Sequence, residues 1–153
     1  MTNKQKSGTD VSEDLKNKLI SISYATVPIQ SDQQTQQETN RIFAENVKQY
    51  LAPEYQYDLN GYILNREQYI EKFCSAIFTE VRFYDQQFTR LGNTIIMQGL
   101  GDFTCVYAGE KTERPKDVFY DIFTKIDDQW VMLLTYSYTQ PNWKITAPKE
   151  TLN

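Results

Sequence analysis

Hydrophobic positions in this chain change their period partway along it. In the first half, apart from one hairpin, they recur at helical spacing; from about residue 81 onward they follow the alternation of strands. Val11, Leu15, Leu19 and Ile22 share one helical face behind an Asp10/Glu13 capping-box pattern, which predicts a helix over 11–25 ended by Pro28. Ser31 with Gln34 offers a second start. Ile42, Phe43, Val47, Tyr50 and Leu51 then lie along one side of a helix over 33–51 that stops before Pro53. The Gln-rich opening at 32–37 reads as a solvated first turn.

The hairpin follows. Tyr55, Tyr57 and Leu59 precede Asn60 and Gly61, with Tyr62, Ile63 and Leu64 after them, and Asn-Gly between two apolar runs signals a turn needing positive φ at both positions. Asn65 caps a helix over 66–78. Gln68 completes a capping box, Leu64 and Tyr69 form a hydrophobic staple, and Tyr69, Ile70, Phe73, Cys74, Ile77 and Phe78 make the buried stripe. Strands are predicted over 81–91, 94–107, 118–126 and 130–138, with short polar turns at 92–93 and 127–129. Gly99 and Gly101 interrupt the longest of these, and in a strand interior glycine marks a bend or bulge.

Composition narrows the chemistry. At 153 residues the chain makes one domain, expected over 10–140 between tails at 1–9 and 141–153. Histidine is absent, so Ser-His-Asp systems, Cys-His nucleophiles and His-containing metal sites are excluded. Carboxylates, tyrosines, lysines and cysteines are left to carry any chemistry, and no metal or cofactor is called for. Cys74 and Cys105 sit in apolar contexts and read as reduced core thiols, which suits a cytoplasmic protein. The net charge of -4 with scattered Lys and Arg gives no nucleic-acid footprint. Nor is there a signal-peptide core or an apolar run of membrane-spanning length. The expectation is a soluble, unprocessed chain with neither nucleic acid nor membrane as partner.

The order of elements, the hairpin with Asp58, Asn60 and Gly61, the capped helix, and the meander through Leu91–Ile96 and Asp127–Leu133 resemble the nuclear transport factor 2-like superfamily. The likeness covers roughly 32–138 and is nearest to its SnoaL-like and ketosteroid-isomerase-like bacterial branch, and to domains related to the association domain of calmodulin-dependent kinase. It implies an α+β cone, a strongly bent antiparallel sheet wrapped around N-terminal helices, commonly a homodimer through its sheet.

Two carboxylates become candidates. Asp58 resembles the proton-shuttling aspartate of the isomerases, which also precedes a turn glycine; equally, a turn-entry Asp bonds the turn backbone. Asp121 interrupts an apolar run from Val118 to Phe123. It either faces solvent on the alternate side of the strand or is held in a pocket like the hydrogen-bond-donating aspartate of the isomerases, from which it is offset by about one residue when aligned on Trp130. Among eleven tyrosines, Tyr57, Tyr62, Tyr120 and Tyr136, with Met97 and Trp130, are candidates to line the cone around a small hydrophobic or planar ligand. Tyr136 stands where many relatives carry a histidine. Two functions fit: a ligand-binding domain, extending to a proton-transfer isomerase or cyclase, or a dimerisation module whose cone is filled by its own side chains.

Overall fold

The structure is a computed structural model and describes residues 10–138. Expectations for 1–9 and 141–153 lie outside the described residues. Three helices precede or interrupt the strands: α1 (Glu13–Ala25), α2 (Gln36–Asn46), continued by a 3-10 turn at Val47–Tyr50, and α3 (Arg66–Cys74). The strands are β1 (Leu51–Leu59), β2 (Tyr62–Asn65), β3 (Ala76–Leu91), β4 (Thr94–Tyr107), β5 (Glu110–Ile126) and β6 (Gln129–Tyr138). They form one curled sheet in the order β2-β1-β6-β5-β4-β3.

All pairings are antiparallel except β1 with β6, which is parallel, so the sheet is mixed and not wholly antiparallel as expected. Turn chemistry predicts only pairings between neighbours in sequence. The β1–β6 seam joins strands far apart in the chain, and only packing decides its direction.

Helix ends also moved. Ser12, not Asp10, caps α1 by accepting the Leu15 N–H, and Thr35, not Ser31, caps α2 by accepting that of Glu38. The α3 cap is as predicted, with Asn65 and Gln68 each accepting the other's backbone N–H at 2.9 Å. That helix ends at Cys74 instead of 78, because Ile77 and Phe78 pair with Val106 and Cys105 in the sheet. A short apolar run satisfies either period, and tertiary pairing chose the strand. Leu51, expected at a helix end, instead opens β1.

The core lies between the helices and one face of the sheet. Leu19, Ile22, Phe43 and Val47 meet Ile95, Met97, Phe119, Phe123 and Met132 there. Register shifts bend the sheet between Tyr84 and Gln87, where Asp85 has φ 57°, and between Gly101 and Phe103, opposite Lys116 at φ 60°. Gly99 and Gly101 allow aromatic rings to lie against the backbone at this bend. A Cβ at Gly99 would sit 2.8 Å from the Phe119 ring, and one at Gly101 2.9 Å from the Phe103 ring. Asn60 and Gly61 adopt the positive φ values of 52° and 90° that the hairpin requires.

Candidate functional site

Strand alternation assigns each candidate to a face. On β5, Phe119 and Phe123 are core residues, so Asp121 between them faces the helices, while Tyr120 and Ile122 face away. Asp121 pairs across the sheet with Met97 on one side and Thr135 on the other, both buried. The carboxylate is itself only 3% exposed.

Its two oxygens are held from opposite sides. The Thr135 hydroxyl donates to Oδ1 at 2.8 Å, and the Ser23 hydroxyl, from α1, donates to Oδ2 at 2.8 Å. Thr135 in turn accepts the Tyr55 hydroxyl at 2.8 Å, so a chain of hydroxyls on β1 and β6 ends on the carboxylate. Burial raises the Asp121 carboxyl from 3.8 to about 6, with the two donated hydrogen bonds opposing the rise. Around it stand Tyr57 and Tyr69. Burial pushes the Tyr57 phenol up to about 12, and Tyr69, whose hydroxyl donates to the Thr26 carbonyl, also lies well above its ordinary value. Both phenols therefore stay neutral.

Two voids open inside the cone, with Phe73 and Phe103 in the walls of both. The inner one, about 40 Å³, is bounded by Ser23, Tyr57, Tyr69, Phe119, Asp121 and Thr135. The outer one, about 120 Å³, is bounded by Ala76, Phe78, Cys105, Tyr107, Arg114 and Asp117, and also by Leu59 and Lys72. Asp117 forms an ion pair with Arg114 at 3.1 Å, and both side chains are largely buried. Burial raises its carboxyl to about 7, against the opposing pull of the Arg114 cation.

The sequence candidates are divided by this geometry. Tyr57 and Asp121 meet at the inner void. Met97 and Trp130 are packed into the hydrophobic core, the latter with Arg90 and Lys125 over its ring. Tyr120 and Tyr136 do not line the cone, because their register turns them to the outer face, where their rings lie 6.2 Å apart. Tyr62, 38% exposed, is also outside it. Asp58 alternates with inward-facing Tyr57, pairs in register with Tyr136, and accepts the Gly61 N–H at 2.8 Å, an Asx-type turn contact.

Ser23, Thr135, Arg114 and Asp117 were not anticipated. One signal existed: Asp117 lies four residues before Asp121 on a strand, hence on the same face. Among the described residues, no cluster of His, Cys, Asp and Glu is able to hold a metal, and no helix is long and apolar enough to cross a membrane. Cys74 and Cys105 are both free.

No family model and no curated protein matches this sequence. The backbone, in contrast, is similar to solved bacterial structures. An NTF2-like protein from Cytophaga hutchinsonii is 10% identical, with 86% of this chain and 100% of that one covered at a TM-score of 0.68. A protein with a cystatin-like fold from Nostoc punctiforme is 11% identical, with 90% and 99% covered at 0.60. A Catenulispora acidiphila protein in complex with S-DNPA is 9% identical, with 84% and 95% covered at 0.60. The chain has the nuclear transport factor 2-like, cystatin-like fold.

Proposed function

We propose that this chain is a SnoaL-like small-molecule-binding domain whose ligand enters the cone between α3 and the bent ends of β3, β4 and β5. One observation carries the reading: a void of about 120 Å³, walled by Phe73, Phe78 and Phe103, backs onto a smaller one that ends at a buried carboxylate. Apolar walls with a few convergent polar groups are the usual make-up of a ligand site. The Catenulispora acidiphila protein of the same fold, solved with S-DNPA, supports it by analogy of backbone.

Size favours binding over turnover. A void of about 40 Å³ at Asp121 accommodates about three waters, not the reacting carbon of a molecule seated at the mouth. An isomerase or cyclase would need Tyr57 or Phe73 to swing aside so that Asp121, titrating near neutrality, could take a proton from a carbon acid and return it elsewhere. Asp58 as base is the weaker form of that reading, since its carboxylate is engaged by the turn.

The experiment is native mass spectrometry and calorimetry with a panel of planar apolar compounds, on the wild type and on Cys105→Trp, which fills the outer void. Binding by the wild type that Cys105→Trp abolishes supports the reading. Absence of binding across the panel overturns it, and turnover lost in Asp121→Asn would replace it with the catalytic one.

We also propose a homodimer. The outer face of β4, β5 and β6 carries half-buried Ile96, Ile122 and Leu134 beside Tyr136, which is 39% exposed, and no helix covers them among the described residues. Light scattering should give twice the chain mass of 18.0 kDa; a monomer at micromolar concentration rejects it.

A further inference from the structure

Asp117 is 2% exposed, yet among the described residues only one of its oxygens is matched. Oδ2 takes the Arg114 guanidinium at 3.1 Å, while Oδ1 is buried with no hydrogen-bond partner among the described residues. A buried acceptor left unpaired is costly, and native proteins keep such groups chiefly where something else completes them. The residue lines the outer void.

The other groups around that void restrict what could complete it. Lys72 places its ammonium 5.1 Å from the centre of the Tyr107 ring, and Arg114 already balances the Asp117 charge. A cationic ligand would meet two positive groups, and a carboxylate ligand would set its own acceptors against Oδ1. A neutral donor meets neither objection. Phe73 and Phe78 stack with their centroids 5.3 Å apart, giving flat apolar walls, and about 120 Å³ suits one ring more than two.

We propose that the outer void binds a single-ring aromatic molecule carrying one neutral O–H or N–H, which donates to Oδ1 of Asp117 while the ring lies between α3 and β4. This rests on the ligand-binding reading and adds to it the chemical class of the ligand. The inner void and Asp121 take no part in the contact.

The test is calorimetric or NMR titration of the full chain with phenol, toluene and benzoate at pH 8. Phenol should bind at least about tenfold more tightly than toluene, as expected for a hydrogen bond to a buried charged acceptor, and benzoate should bind least. In Asp117→Asn, Arg114 holds the amide oxygen and turns the NH2 group toward the void, so benzoate should gain on phenol. The wild-type ranking decides the matter by itself if that variant does not fold. Equal binding of phenol and toluene overturns this inference and leaves the ligand-binding reading standing, with water as the partner of Oδ1. Benzoate binding most tightly also overturns it, with Arg114 as the selecting group. No binding by any of the three, together with no binding across the planar panel, overturns both.

Discussion

Two aspartates four residues apart on one face of β5 show how differently a cone treats its base and its mouth. Asp121, at the base, receives a hydroxyl on each oxygen, one from α1 and one from β6, and so ties a helix to the sheet. Asp117, at the mouth, has a cation on one oxygen and, among the described residues, nothing on the other. Both are buried and both have raised pKa values, yet the causes of their stabilisation differ: donated hydrogen bonds at the base, an ion pair at the mouth. The base is a closed polar network, whose completeness favours one packing of the core. Among the described residues the mouth is incomplete, which is the condition for recognising something outside them.

Removing the cation is expected to have the largest effect. Arg114→Leu takes away the cation that pulls the Asp117 carboxyl down, so at pH 8 the buried group must either stay ionised without its partner or be held protonated against the solution, and the change should cost about 3–5 kcal/mol in urea unfolding. The cost should shrink at pH 5, where the Asp117 carboxyl, at about 7 even beside Arg114, is protonated in both proteins. A cost independent of pH would show that the lost packing of the Arg114 stem dominates and that the mouth is not held by charge.

The next largest effect concerns the base. The Asp121 carboxyl titrates at about 6 in the folded chain against 3.8 for the ordinary group. A raised carboxyl binds its proton more tightly when folded, so its contribution favours folding fully below about pH 4 and is lost as pH rises through about 6. The stability of the wild type relative to Asp121→Asn should therefore fall by about 3 kcal/mol between pH 4 and pH 7.5. Parallel pH profiles for the two proteins would contradict a desolvated carboxylate at the base.

Thr135→Val removes the hydroxyl that links Tyr55 to Asp121, at nearly constant volume. It should cost about 2 kcal/mol and raise the Asp121 pKa further, measurable by NMR titration of the carboxyl carbon. If stability fell while the titration stayed in place, Ser23 alone would be sufficient to set the carboxylate's environment. Asp58→Ala, outside the cone, is the smallest change: about 0.5–1 kcal/mol from the lost turn contact, with phenol affinity unaltered. Any large drop in ligand affinity in that variant would bring Asp58 back to the site.

Much of this molecule was legible in the order of its residues. The Asn60-Gly61 hairpin, the Asn65/Gln68 capping box, the meander from β3 to β6 and the glycine-marked bend are all local, and each is specified by residues a few positions apart. The inward direction of Asp121 was not, because the period of two leaves either face available until a strand docks on something. Tyr120 and Tyr136 went to the outer face for the same reason. The parallel seam between β1 and β6, the Ser23 contact to Asp121 across 98 residues, and the pairing of two voids around Phe73 and Phe103 belong to the tertiary structure alone. A pattern of hydrophobic and turn residues determines which elements form and how neighbours pair. Which buried polar groups meet depends on contacts between segments far apart in the chain, where sequence spacing carries no distance.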